Sequence, residues 1–150
     1  MQRPQPRMGT EQNVVGKRVL AFLIDIVLIS VVLGVVFGVF AAVLGGLFGR
    51  AGGAVVALVS PLLGLVGLAY FIYMEGTYGQ TLGKRFMDVV VVTDTGAPCD
   101  MKASAIRNIL RIVDALPTLY IVGFAVMYLV SDDRQRVGDI VADTVVVRTT

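Results

Sequence analysis

The 150-residue chain contains no histidine, no tryptophan and a single cysteine, Cys99. One cysteine cannot form a disulfide within the chain, and without histidine the chain cannot build the Cys/His sites that hold zinc. A serine or cysteine nucleophile would also lack the histidine base that commonly activates it. The sequence has no HExxH motif and no phosphate-binding GxxxxGKS or GxxxxGKT loop. We therefore expect no enzyme activity, no metal site and no cofactor.

Charged residues are also scarce, at 16% of the chain against about 25% in soluble domains, and 56% of the residues are hydrophobic. No Asp, Glu, Lys or Arg lies between Asp25 and Arg50, between Arg50 and Glu75, or between Asp114 and Asp132. A transmembrane helix needs about 20 apolar residues, which the first two gaps exceed and the third barely provides. The composition indicates an integral protein of the cell membrane, surrounded by the lipid bilayer.

The apolar runs predict three transmembrane segments, at about residues 19–44, 54–74 and 112–130. The first run is too long to be a cleaved signal peptide. Lys17 and Arg18 beside it favour a cytoplasmic N-terminus by the positive-inside rule. Pro117 interrupts the third segment, which spans the membrane once, enters and leaves on one side, or makes two short crossings. The side of the C-terminus therefore stays open.

The distribution of polar residues predicts one membrane domain with a short polar N-terminal extension. Residues 1–13 are polar, contain two prolines and are predicted to be a disordered tail, which leaves residues 14–150 as the domain. The net charge of +2 gives no indication of nucleic-acid binding. Because so few helices cannot enclose a pathway by themselves, we expect a homo-oligomer or a larger membrane complex.

Two segments outside the long apolar runs resemble each other. LGKRFMDVVVV, which starts at Leu82, aligns with VGDIVADTVVV, which starts at Val137, so that Asp88 matches Asp143. Each copy predicts a short helix followed by a valine-rich strand, and Thr81 is a suitable N-cap for the first helix. If the repeat is structural, the two strands can pair in one small sheet, which three full membrane crossings would prevent.

Asp25 lies inside the first apolar run, where a carboxylate costs roughly 2.5–3.5 kcal/mol at a helix centre. Arg18 lies on the same helix face but about 10 Å away along the axis. We expect Asp25 to face the protein interior and to pair with Arg107 or Arg111, which share one face of an amphipathic helix with Asp114. The alternative is an ion or proton site, because ionisable groups within a membrane mark transport pathways.

The later charges extend this set of candidates. The candidate ion or proton site comprises Asp25, Asp114 and Asp139. The predicted counter-charges or ion-pair partners are Arg18, Arg107 and Arg111. For Asp139, the simpler alternatives are a solvated position among neighbouring arginines or a structural role beside the following strand.

Four motifs occur in order along the chain: RxxAxxxD from Arg18, TLGKR from Thr81, RxxxR from Arg107 and RVGDxxAxTxV from Arg136. Over about residues 14–148, their order and spacing resemble the RDD family of membrane proteins, which is named for one arginine and two aspartates. On this resemblance, the three residues correspond to Arg18, Asp25 and Asp139.

The resemblance implies a multi-pass protein that takes part in the transport of an unidentified ligand, and some members of the family resemble sodium–proton antiporters. The chain departs from the family pattern at two positions. Gly138 stands where many relatives carry histidine, which argues against a histidine proton shuttle, and Asp143 stands where glycine is commoner.

These observations predict an all-α membrane protein with two transmembrane helices, a third membrane-embedded helical segment, and short helix–strand elements on the cytoplasmic side. Two functions stay open. One is transport of a small ligand or ion, with cation/proton exchange as one possible form and Asp25 as the buried carboxylate. The other is a structural or assembly role in which an interhelical ion pair locks Asp25.

Overall fold

Two long helical stretches dominate the structure, a computed structural model that describes residues 2–114 and 133–150 except for the side chains of 112–114. The first is α1 (Val15–Phe48), and the second comprises α2 (Arg50–Val59) and α3 (Leu62–Tyr78). Within the described residues, these two stretches are long and apolar enough to cross a membrane. The third predicted segment, 112–130, lies outside the described residues apart from the backbone of 112–114.

Two glycines and a proline shape the connection between the long stretches. Gly49 has a φ of 54°, in the left-handed region that favours glycine, and it separates α1 from α2. Gly52 lies against the carbonyl oxygen of Leu44, where a Cβ atom would clash, so α2 can lie close to α1. Pro61 separates α2 from α3, because it lacks the backbone N–H that would continue the helix.

The helices α1 and α3 form an antiparallel hairpin. An added Cβ on Gly67 would lie 4.0 Å from the side chain of Ile29, and the ring of Phe71 lies 6.0 Å from the ring of Phe22. As α3 proceeds it therefore approaches the start of α1. The end of α3 and the beginning of α1 lie at the same end of the hairpin, where the rest of the fold is assembled.

The predicted helix–strand repeat is confirmed. The first copy comprises α4 (Leu82–Phe86) and β2 (Val89–Thr93). The connecting helix is α5 (Met101–Asp114), and the second copy comprises α6 (Val137–Val141) and β3 (Thr144–Thr149). Helix α4 packs on α1, α6 packs on α5, and α5 lies along α3.

The local conformation of the two copies also agrees. Thr81 accepts a backbone hydrogen bond from the first turn of α4, which confirms the predicted N-cap. In the second copy, Arg136 holds the cap position, and its backbone N–H donates to Asp139 at 3.2 Å. Each helix is followed by an aspartate with positive φ, 53° at Asp88 and 48° at Asp143. Aspartate tolerates this left-handed conformation better than most residues do.

The strands form a three-stranded antiparallel sheet in the order β1–β3–β2, with β1 at Pro6–Arg7. Val89 pairs with Arg148, and their counterparts in the other copy, Thr144 and Thr93, also pair with each other. A local two-fold axis between the copies requires that each residue pair has such a counterpart with the two copies interchanged. Both faces of the β2–β3 pair carry buried valines, which explains the unbroken valine runs in place of alternation.

The described part of the polar N-terminal segment contacts this sheet and the end of α3, whereas the disorder expected for residues 1–13 stays a prediction. Arg3 donates hydrogen bonds to the carbonyl oxygens of Gly76 at 2.6 Å, Thr77 at 2.8 Å and Cys99 at 3.0 Å. Carbonyl groups at the end of a helix lack partners within the helix and need outside donors. Arg3 thus supplies donors to distant backbone acceptors, which the polar composition of the tail does not reveal.

Candidate functional site

Asp25 is only 1% exposed and accepts hydrogen bonds from three neutral donors. The hydroxyl of Thr81 donates to Oδ2 at 2.5 Å. The hydroxyl of Tyr70 donates to Oδ1 at 2.9 Å, and the backbone N–H of Gly83 donates to the same oxygen at 2.8 Å. The carboxylate therefore joins α1 to α3 and to the first turn of α4.

The predicted ion pair between Asp25 and Arg107 or Arg111 is wrong, and the reason is steric. Gly83 has no side chain, so α4 can approach the backbone of α1 at Ala21, where a Cβ atom would clash with the carbonyl oxygen. The same Cβ would lie 2.9 Å from Cγ of Asp25. This approach places the donors of α4 directly on the carboxylate, and they take the positions that an arginine would need.

Arg18 and Arg107 meet at Asp139 instead. The guanidinium of Arg18 donates to Oδ2 of Asp139 and, at 3.0 Å, to the carbonyl oxygen of Arg134. Nη2 of Arg107 lies 2.9 Å from Oδ1 of the same carboxylate. All three charged residues are at most 6% exposed. A single carboxylate thus connects α1, α5 and α6.

A third buried carboxylate, Glu75 on α3, lies against three further donor groups. Its Oε1 lies 2.7 Å from Nζ of Lys84, while Oε2 lies 3.1 Å from Nε of Arg107 and 3.2 Å from Nδ2 of Asn108. Arg107 therefore bridges Glu75 and Asp139. The sequence-based candidates did not include Glu75 or Lys84. The available signal was that Glu75 is the first charge after the second apolar run.

These contacts shift the pKa of two groups that lie outside the long apolar helices. Burial lowers the pKa of Lys84 from 10.5 to about 8, although Glu75 opposes this shift. Burial alone would raise the pKa of the Asp139 carboxyl, but Arg107 and Arg18 outweigh it and hold that pKa well below its usual 3.8. Asp139 is therefore ionised at neutral pH, whereas Lys84 releases its proton in mildly alkaline solution.

Arg111 lies between two aromatic rings. Its guanidinium carbon is 4.9 Å from the centre of the Phe22 ring and 4.7 Å from that of Phe71, as in cation–π contacts. Its Nη1 is buried and has no hydrogen-bond partner among the described residues. Asp114 ends α5, and because its side chain lies outside the described residues, its membership of the site stays a prediction.

The charged side chains fill the space at the end of the hairpin almost completely. The cavity that they line has a free volume of about 10 Å³, roughly the least that can hold one water molecule. Its charged lining consists of Arg18, Asp25, Lys84, Arg107, Arg111, Arg136 and Asp139. No cluster of metal-ligating side chains occurs in the part of the chain that the structure describes. Among the described residues, the cluster therefore leaves space for about one water molecule and not for a larger ligand.

The arginine and the two aspartates of the sequence motifs, Arg18, Asp25 and Asp139, thus line one buried cluster. A family model described as the RDD family matches residues 13–143. The chain belongs to the RDD family. In this RDD protein the arginine and the second aspartate form a direct ion pair. The first aspartate instead accepts the hydrogen bonds of a neighbouring short helix.

Two relatives match parts of this RDD protein. An uncharacterised protein of Haemophilus influenzae is 32% identical over 90 residues, which are 57% of this chain and 58% of that protein. A proline-rich antigen homolog of Mycobacterium tuberculosis is 35% identical over 95 residues, which are 60% of this chain and 38% of that protein. The matches therefore cover less than two thirds of either relative. No solved structure matches the chain.

Proposed function

We propose that this RDD protein takes part in the transport of a small ligand or ion across the cell membrane, without enzymatic activity. The observation that supports this proposal most is the buried charge cluster at the end of two long apolar helices. Charges at such positions are costly, and those that occur there commonly mark transport pathways. In this proposal the cluster, with its small free volume, is the closed form of the pathway. The pathway opens when the buried side chains change their hydrogen-bond and ion-pair partners.

The three-stranded sheet supports an arrangement in which one end of the helical hairpin is closed. Strands β1, β2 and β3 come from parts of the chain that long apolar runs separate, yet they pair with one another. We assign the sheet to the cytoplasmic side, as Lys17 and Arg18 favour. The chain then leaves α5 and enters α6 on that side. Since the two long helices enclose no pathway by themselves, the working unit is a homo-oligomer or a larger membrane complex.

Asp25 is the carboxylate that we assign to ion or proton exchange. Asp139 and Glu75 each hold two cationic side chains, and releasing them would leave buried charges unpaired. Asp25 is held by hydroxyl groups and one backbone N–H, which a proton or a cation can displace without separating an ion pair. The hydroxyl oxygens of Thr81 and Tyr70 can also serve as ligands for a small cation.

A structural or assembly role is the second candidate, and the same three hydrogen bonds favour it. They make Asp25 an anchor between α1 and the first turn of α4, and therefore between the membrane helices and the sheet. A buried carboxylate whose acceptor sites are occupied needs no transport function to explain it. In this interpretation the hydrogen bonds of Asp25 replace the ion pair that was expected from the sequence.

Proton-coupled cation flux in liposomes separates the two functions. We would compare the wild type with Asp25→Asn and with Asp133→Asn, which removes an exposed carboxylate. Reaction of the buried Cys99 with a thiol reagent reports whether each protein is folded. Transport through Asp25 predicts that the wild type and Asp133→Asn exchange Na⁺ or another alkali cation for protons, while folded Asp25→Asn does not.

Two results would contradict this assignment. Equal flux in the wild type and in folded Asp25→Asn would exclude Asp25 as the exchanging carboxylate. If the wild type moves no alkali cation and Asp25→Asn exposes Cys99 at a lower temperature, the anchoring role is supported instead.

A further inference from the structure

A groove runs along the hairpin between α1 and α3 and meets the charge cluster at Arg111. Its volume is about 560 Å³, within the range of roughly 300–1,000 Å³ that is typical of small-molecule sites. Apolar side chains supply most of the lining, including Phe22, Ile26, Ile29, Leu33, Leu63 and Leu68. Ser30 is one polar residue of the lining, and Asn108 and Arg111 are two more, which also line the charge cluster.

The position of Arg111 follows from the local two-fold axis. A glycine of α4 packs on the carbonyl of Ala21, and a glycine of α6 packs on the carbonyl of Arg107. Asp25 and Arg111 each lie four residues after these carbonyls and therefore occupy equivalent places. Asp25 accepts hydrogen bonds from α4, but a guanidinium has no acceptor for the N–H groups of α6. Arg111 turns instead to the aromatic rings beside the groove.

The charge around Arg111 favours an anion. Five basic and two acidic side chains line the cluster. Glu75 adds a third carboxylate, which forms ion pairs with Lys84 and Arg107 of the cluster. Basic groups therefore exceed acidic groups among the described side chains. The buried Nη1 of Arg111 also keeps a donor that no described residue accepts. Guanidinium groups bind phosphate and carboxylate groups particularly well.

We propose that the groove binds an anionic phospholipid of the surrounding bilayer, with an acyl chain between α1 and α3 and its phosphate on Arg111. The walls of the groove are the two long apolar helices, so the bilayer itself supplies the occupant. Phe22 lies about 10 Å inside the start of α1, a depth that a headgroup near the interface can reach. Basic pockets between transmembrane helices bind anionic headgroups in this way. The binding requires no flux, so it goes beyond the proposed transport function and can be tested without it.

Native mass spectrometry of the full chain in neutral detergent tests the headgroup. The protein is offered equal amounts of phosphatidylglycerol and phosphatidylcholine with the same acyl chains. We expect the wild type to retain phosphatidylglycerol about fivefold more, the preference that one basic residue can provide. Arg111→Gln should remove this preference, while Arg85→Gln, which removes an exposed arginine of α4, should keep it.

A pair of glycines tests the groove itself. Gly34 lines the groove and Gly38, one turn further along α1, does not. An added Cβ at either position meets no atom of the described residues within 4 Å, so neither substitution clashes at the Cβ atom. Gly34→Leu should reduce the binding of both lipids, and Gly38→Leu should leave it unchanged.

Several results would overturn the proposal. These are equal retention of the two lipids by the wild type, a preference that survives Arg111→Gln, and an equal loss in Arg85→Gln. A dimer that only Gly34→Leu abolishes would assign the groove to a second copy of the chain. Unchanged lipid binding in every variant would mean that the chain itself covers the groove. If Arg111→Gln does not fold, Arg111→Lys must keep the preference, while Gly34→Leu still lowers binding.

Discussion

Asp139 holds guanidinium groups from two helices, and removing its charge leaves the guanidinium of Arg18 without a buried counter-ion. Removing one partner of a buried ion pair costs about 3–5 kcal/mol. We therefore expect Asp139→Asn to lower the free energy of unfolding by about that amount, measured by circular dichroism in a denaturant titration. Asp133→Asn, at an exposed position, should change it by less than about 0.5 kcal/mol. Similar losses in the two variants would contradict the role of Asp139.

Lys84 makes the stability depend on pH in the alkaline range. Its pKa is about 8 in the folded protein against an ordinary 10.5, so the unfolded chain binds more protons between these values. The free energy of unfolding contributed by Lys84 therefore rises with pH across this window and is constant below it. The Tm of the wild type relative to Lys84→Met should rise between about pH 8 and pH 10.5. A constant difference over this range would show that the pKa of Lys84 is not lowered in the folded protein.

The sequence identifies most of the residues of the site, but not their pairing. Arg18, Asp25 and Asp139 are recognisable because charges in or beside apolar runs are rare. Which charges meet depends on how closely the backbones approach, and the absence of a side chain at Gly83 decides this for Asp25. Glu75 could be read as an ordinary charge at the end of a helix. Only the fold brings Lys84 and Arg107 to it.

At the scale of elements, the repeat was predictable because it combines two independent patterns. The valine runs predict strands, and the aspartates at matching positions mark the same left-handed turn before each strand. The short strand β1 was not predictable, because two residues cannot show a periodic pattern. The neighbouring Arg3 donates hydrogen bonds to carbonyl groups that are distant in the sequence, which no local pattern reveals.

The equivalence of the two copies can be tested at the aspartates with positive φ. Asp88 and Asp143 adopt φ of 53° and 48°, a conformation that costs most residues about 1–2 kcal/mol more than it costs glycine. A substitution by glycine would avoid this cost, but about 0.5–1 kcal/mol of the stability gained is lost again because glycine is more flexible in the unfolded chain. We expect Asp143→Gly to raise the free energy of unfolding by up to about 1 kcal/mol and Asp143→Val to lower it.

The same two substitutions at Asp88 should give the same signs, because the local two-fold axis places both aspartates in equivalent turns. Thermal unfolding followed by circular dichroism measures all four variants. Opposite signs in the two copies would show that the turns are not equivalent.

At the scale of the whole molecule, the two long apolar helices follow directly from the distribution of charge. Runs of more than 20 residues without charge allow few alternatives to membrane helices. The side on which later segments lie does not follow from hydropathy, because a segment interrupted by Pro117 is compatible with either side. Our assignment of the later segments to one side rests on the pairing of β2 with β3, since strands in one sheet cannot lie across a membrane from each other.

The charge cluster, the proposed transport function and the lipid groove all depend on a sheet that closes one end of the helical hairpin. Cysteine labelling in intact cells tests this directly, in a chain whose native Cys99 is replaced by alanine. Single cysteines are introduced at Gln2, Ala51 and Thr150 and exposed to a membrane-impermeant maleimide. We predict that Ala51→Cys reacts in intact cells, while Gln2→Cys and Thr150→Cys react only after permeabilisation. Labelling of Gln2→Cys and Thr150→Cys from opposite sides would contradict the account.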